Sequence, residues 1–165
     1  MIIDKVVVGP LAENCYIVTK NEKTIIIDPG DEGKKIIDVA KDKNVVGVLI
    51  THHHFDHIGA LKNIEEYFNI KESREIEGFN YEIIKTPGHT SDSVSYYFPE
   101  DKVLFAGDFL FLNSIGRTDL PTGNDMEMQK SLELISKYPD EIVVYPGHGE
   151  TTTLGYEKEN FKYYY

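Results

Sequence analysis

Four of the six histidines in this 165-residue chain fall in one short stretch, Thr51-His52-His53-His54-Phe55-Asp56-His57-Ile58-Gly59. Alternate residues of an extended chain share a face, so His52 and His54 can converge on one point while His53 faces elsewhere. Asp56 and His57 follow in the turn. Imidazole nitrogens grouped with a carboxylate suit a metal ion of the zinc, iron or manganese kind. The plainer alternative is a set of polar surface residues, which such dense clustering beside a carboxylate at a strand end disfavours.

Elements on either side must hold this stretch in place. Met1 to Gly9, Asn14 to Lys20 and Thr24 to Asp28 read as three short strands in an antiparallel meander, rich in Ile, Val and Tyr. Lys34 to Lys43 carries one apolar helical face. Val45 to Ile50 is a buried strand of parallel type leading straight into the histidines. Behind them Ile58, Leu61, Ile64 and Phe68 recur at helical spacing, with Asp56 just ahead of that helix. Lys71 to Lys85 returns to a strand pattern, with Phe79, Tyr81 and Ile83 alternating. Ser93 to Phe98 and Lys102 to Ala106 are two more strands, Asn113 to Asn124 is a polar loop, and Met126 to Tyr138 is a helix. Ile142 to Tyr145 is the last apolar strand, and Thr151 to Tyr165 is partly helical. Four strands thus run out into Gly- or Pro-marked loops, each delivering a potential ligand: the His52–His57 group, His89, Asp108 and His148. Loop ends on a rigid scaffold are where sites are built.

Composition bounds the possibilities. The length fits one domain spanning residues 1–165, without linker or repeat. No apolar run approaches the roughly 18 residues of a spanning helix, and the first residues lack the pattern of a signal peptide, so a cytoplasmic protein that binds no membrane is expected. Cys15 is the sole cysteine, which excludes a disulfide and a thiolate-rich metal site. Its neighbours Tyr16, Ile17 and Val18 mark it as a buried strand residue. A net charge of −11 argues against nucleic acid, because such binding rests on neutralising phosphates with Lys and Arg. A small-molecule substrate, with the protein a monomer or homodimer, is the expected partner set.

Together these residues resemble the metallo-β-lactamase fold hydrolases, which carry His-x-His-x-Asp-His, then a single His, a single Asp and a final His. Thr86-Pro87-Gly88-His89-Thr90, Gly107-Asp108 with Gly116-Arg117-Thr118-Asp119, and Pro146-Gly147-His148-Gly149 look like the glyoxalase II group, above all its short members without a C-terminal helical domain. The resemblance implies an α/β fold, an αββα sandwich. It implies that His52, His54 and His89 hold one divalent ion, that Asp56, His57 and His148 hold a second, and that Asp108 bridges both. Zinc is the first expectation, with iron or manganese as alternatives. Asp56 and Asp108 are then catalytic as metal ligands, and the nucleophile is a hydroxide shared by the metals. Asp28 and Thr51 are candidates to support the ligands from behind, and His53 is not expected to bind metal.

The implied reaction is thioester hydrolysis, on hydroxyacylglutathione-like substrates. Arg117 is a candidate to bind a substrate carboxylate; pairing with Asp119 is an equal alternative. The stretch between His57 and His89 is shorter than is usual in the group, so the cleft is either open or closed by a second subunit. A competing reading is an enzyme resembling persulfide dioxygenases, with His52, His89 and Asp108 around one iron. A nuclease is disfavoured by the acidity. A noncatalytic metal-binding protein would need a closed coordination sphere.

Overall fold

The computed structural model describes residues 1–165, which fall into two compact units, Met1–Phe79 and Asn80–Tyr165. The first unit is built on a four-stranded sheet in the order β1-β2-β3-β4, with β1 Ile2–Val8, β2 Glu13–Lys20, β3 Lys23–Ile27 and β4 Val45–Leu49. β1, β2 and β3 form the antiparallel meander, Ile17 lying opposite Asp4 on one side and Ile26 on the other. β3 and β4 are parallel, as strands joined through a crossover helix must be, here α1 Gly33–Ala40. Val6, Val8, Cys15, Ile17, Ile26, Val48 and Ile50 from the sheet pack with Ile36 and Ala40 of α1 into one core cluster. Cys15 is wholly buried there, and burial, with Glu13 and Asp28 adding to it, pushes its thiol pKa well up.

Beyond β4 the chain differs from the sequence expectation in two places. The helical pattern that starts at Ile58 is split into α2 Phe55–Ile58 and α3 Leu61–Phe68, so Asp56 sits in the first turn of α2 rather than ahead of one long helix. The break coincides with close backbone packing: a Cβ on Gly59 would lie 2.3 Å from the Gly30 carbonyl oxygen. Secondly, Lys71 to Lys85 is not a continuous strand. Its first part runs along the edge strand β4 through a single bridge between Val48 and Glu72, with Ile76 packed over Gly47. That cover is one way to protect an exposed sheet edge.

The second unit carries a five-stranded sheet in the order β11-β10-β7-β6-β5. Its strands are β5 Glu82–Lys85, β6 Val94–Phe98, β7 Val103–Gly107, β10 Val143–Pro146 and β11 Thr152–Thr153. Tyr81 lies outside β5 but stacks on Tyr96 and Phe98 of β6 at 5.8 and 5.3 Å, which accounts for the aromatic alternation that imitates a longer strand. A small hairpin, β8 Leu110–Phe111 with β9 Ser114–Ile115, precedes and enters the start of the expected polar loop. α4 Asp125–Ile135 joins β9 to β10, and the Asn124 side chain caps it by accepting from the Glu127 amide at 3.0 Å. Met128, Leu132 and Ile135 of α4 pack on Leu104, Ala106, Ile142 and Val144 in a second core cluster, joined by Leu154 of α5 Leu154–Lys158. A short 3-10 turn, Phe161–Tyr163, ends the chain. No helix is long and apolar enough to cross a membrane.

Candidate metal centre

Each unit has one parallel strand pair whose carboxyl ends deliver ligand candidates, the usual position for sites in α/β sheets. In the first unit the pair is β3 and β4. Asp28 follows β3 directly and keeps its register with β4 by donating its amide to the Leu49 carbonyl at 3.0 Å. Its backbone is left-handed, with φ 51. Asp and Asn tolerate that conformation better than most residues, and it costs on the order of 1–2 kcal/mol when nothing compensates. Compensation comes from three donors on one buried carboxylate. Oδ1 accepts from the Thr51 amide at 2.7 Å, while Oδ2 accepts from the Thr51 hydroxyl at 2.6 Å and from His57 Nδ1 at 2.9 Å.

These bonds settle the histidine tautomers. His57 Nδ1 faces a carboxylate and must carry the proton, which leaves the neutral ring its lone pair on Nε2. Thr51 has given its only hydroxyl proton to Asp28, so towards His52 Nδ1, 3.1 Å away, it can only accept. His52 therefore also presents an Nε2 lone pair. The His52 ring lies 4.2 Å from that of His57 and 4.9 Å from that of His54, centroid to centroid. The residues after Leu49 lie outside the strand, yet they bring His52 and His54 together. His53 turns away and bonds to Glu72 at 2.9 Å. Asp56 Oδ2 stands 3.6 Å from His57 Nε2.

In the second unit the parallel pair is β7 and β10, with Asp108 after the first and His148 after the second. His89, in the loop after β5, donates from Nδ1 to the Arg117 carbonyl at 2.8 Å, so its lone pair too is on Nε2. His89 Nε2 and His148 Nε2 each lie 3.5 Å from Asp108 Oδ2.

This donor set fits a divalent ion. At metal–ligand distances of about 2.1 Å, ligand atoms of a tetrahedral site are about 3.4 Å apart, whereas N–H···O hydrogen bonds run to about 3.2 Å. The spacings of 3.5, 3.5 and 3.6 Å match the former. Lone pairs of His57 and His89 aimed at carboxylate oxygens repel unless a cation is shared between them.

Arg117 does not point a free guanidinium at a ligand. Its Nε and Nη2 donate to the two oxygens of Asp119 at 2.7 and 2.8 Å, and the pair is exposed. This pairing holds the Arg117 guanidinium pKa up and brings the Asp119 carboxyl down to about 2. What the loop gives the site is the Arg117 carbonyl, and Gly116 allows its approach. A Cβ on Gly116 would stand 1.8 Å from the Asp108 carbonyl oxygen and 3.1 Å from the His89 Cβ.

One residue in this neighbourhood escaped the sequence reading. Glu13, at the head of β2, is 1% exposed and places Oε1 3.7 Å from His57 Nδ1, in a buried group with Asp28. Gly30 makes room for it, since a Cβ there would lie 2.5 Å from Glu13 Oε2 and 1.7 Å from the Asp56 carbonyl oxygen. The available signal was an acidic residue opening an otherwise apolar strand.

Comparison with known proteins agrees with this geometry. The chain is 30% identical to hydroxyacylglutathione hydrolase GloC of Haemophilus influenzae, over 97% of this chain and 96% of that protein. Among solved structures it is similar to BLEG-1, described as a B3 metallo-beta-lactamase, with TM-score 0.91, 28% identity and 99% of both chains covered. It is also similar to TTHA1623, solved in a di-iron-bound form, with TM-score 0.85, 30% identity, 95% of this chain and 98% of that one. The α/β architecture is the fold these proteins share. The family model matches residues 8–78 and 64–148, and with relatives of this likeness along nearly the whole chain, the protein belongs to the metallo-beta-lactamase superfamily and is a metal-dependent hydrolase by kinship.

Proposed function

We propose that this protein hydrolyses acyl thioesters at a binuclear centre in which His52, His54 and His89 hold one ion, Asp56, His57 and His148 hold the other, and Asp108 is shared. The order of ligands in the family motif supports that division, and the spacings within each unit agree with it. The observation that carries the reading is the fixed set of tautomers. His52, His57 and His89 each have Nδ1 committed to a polar partner, so all three offer Nε2 at no reorganisation cost.

The chemistry that such ions supply when bound is activation of water at neutral pH and polarisation of a carbonyl oxygen. The chain's own residues hold that arrangement. Asp28 orients His57 directly and His52 through Thr51, and the Arg117 carbonyl orients His89. No thiol competes as a nucleophile, because Cys15 is buried in the sheet with its pKa raised. In this reading water is the attacking group. Zinc suits the His-rich ligand set, and iron is the metal of one structural relative. We take the active form to be a cytoplasmic monomer or homodimer acting on a small molecule.

The thioester reading is favoured by the likeness to GloC along both full lengths; the likeness to BLEG-1 makes β-lactam hydrolysis the competitor. Metal-replete protein presented with a panel of acyl thiols and a panel of β-lactams separates them. Thioester turnover at least tenfold above a His54→Ala variant is the expected result. Turnover of β-lactams alone, or of neither class, overturns the proposal.

A further inference from the structure

Beside His148 the second unit holds a cavity of about 550 Å³, lined by Phe111, Leu112, Ser114, His148, Gly149 and Glu150. Its size is within the range of small-molecule sites, roughly 300–1,000 Å³. Its walls come from the tip of the β8–β9 hairpin on one side and the turn after β10 on the other. The Phe111 ring stands 6.2 Å from the His148 ring. Leu112 is 41% exposed and so presents its aliphatic side chain to whatever enters the cavity.

The hairpin tip is anchored. Glu157 of α5 is fully buried, and its carboxylate accepts from the Asn113 amide at 3.2 and 3.1 Å and from the Thr152 hydroxyl at 2.7 Å. Tyr156 adds a hydrogen bond from its hydroxyl to Asn113 Oδ1 at 2.8 Å. A buried carboxylate that ties the hairpin tip to α5 means that the wall carrying Phe111 and Leu112 is formed before any ligand arrives, which lowers the ordering cost of binding. Glu150 is the one acidic residue of the lining, and no Lys or Arg contributes to it. Phe111 and Leu112 give this lining its apolar surface, against which an aliphatic acyl chain would bury its methylenes.

Resting on the thioesterase reading, we infer that this cavity is the acyl-chain site and that Phe111 and Leu112 set its preference for uncharged aliphatic acyl groups. With the reacting carbonyl near His148, the chain would run between Leu112 and Phe111. The site assigns specificity to the acyl side of the thioester, where the Arg117 loop, closed on Asp119, assigns none.

The test separates binding from turnover. A series of non-hydrolysable S-alkyl thioethers of N-acetylcysteamine, from ethyl to octyl, is titrated calorimetrically into the metal-loaded protein. Each fully buried methylene strengthens binding about fourfold, so a rise of about two- to fourfold per methylene until the cavity is full is expected for this partly open site. Leu112→Ser should flatten that slope, while Leu134→Ser, an exposed leucine on α4, should leave it unchanged. An affinity independent of chain length, or a slope equal in the Leu112→Ser variant and the parent, overturns the inference. Hydrolysis of the matching acyl thioesters is measured alongside. A retained binding slope without turnover contradicts the thioesterase reading alone, and turnover without a slope contradicts the acyl site alone.

Discussion

Asp28→Asn is the substitution that most sharply separates a carboxylate organising the metal ligands from one that is merely buried. The side chains have the same shape, and Asn also tolerates the left-handed φ of 51 at this position, so the backbone need not move. The hydrogen-bond ledger does change. Asp28 accepts three bonds, from the Thr51 amide, the Thr51 hydroxyl and His57 Nδ1. The amide of Asn has one acceptor oxygen and one donor nitrogen. If the oxygen keeps the Thr51 amide, the NH2 group faces His57 Nδ1, which must then give up its proton and carry it on Nε2. That removes the lone pair facing Asp56, and His57 ceases to be a ligand in its resting tautomer. If the oxygen turns to His57 instead, the NH2 meets the Thr51 amide, donor against donor, and Thr51 shifts away from His52. Either way one ion loses a ligand or its support. Loss of such supporting bonds weakens metal affinity by about 10- to 100-fold, or about 1.4–2.8 kcal/mol at 1.4 kcal/mol per decade. Zinc titration against a competing chelator reads this directly, and one of the two binding events should shift to lower affinity while circular dichroism stays that of the parent. Unchanged affinity at both sites would refute the tautomer argument.

Further outcomes follow from the same contacts. Gly116→Ala forces a methyl against the Asp108 carbonyl oxygen, so the loop must move and His89 lose the Arg117 carbonyl; zinc affinity should fall at least tenfold by the same titration. Arg117→Ala keeps that carbonyl and loses only an exposed ion pair, so zinc affinity should change by no more than about threefold. Cys15 should not react with a thiol reagent at pH 8 in the folded protein, because burial holds its pKa well above the free value; it should react at the rate of unfolding once denaturant is added. Each zinc site filled at 100 times its dissociation constant should stabilise the native state by about 2.7 kcal/mol, which for a domain of this size raises Tm by about 5–10 °C per site, and chelator should reverse the shift.

The elements that carry ligands were legible because each announces itself in a short window. The apolar run Val45 to Leu49 followed at once by the histidines defined β4 and its loop, and the Gly- and Pro-marked phrases after β5, β7 and β10 located His89, Asp108 and His148. What the sequence did not disclose lies in contacts between distant segments. Glu13 reaches His57 across 44 positions only because Gly30 and the Asp56 backbone leave a notch for it. The role of the Gly116-Arg117 loop is likewise carried by a carbonyl and a missing side chain rather than by the charged group that drew notice. Tyr81 imitated strand alternation because its ring is needed on the face of β6. Glu157 looked like one more charge in an acidic tail, and its burial against Asn113 and Thr152 depends on where α5 docks.

The central claim is that two ions held by seven side chains hydrolyse a thioester. It is tested most directly by adding zinc in known equivalents to metal-free protein while following hydrolysis of an acyl thioester. Negligible turnover without metal, a rise with added zinc and a plateau at two equivalents per chain are expected. A plateau at one equivalent, or no thioester hydrolysis at two, would contradict it, and oxygen consumption dependent on a persulfide with one equivalent of iron would replace it with the competing chemistry.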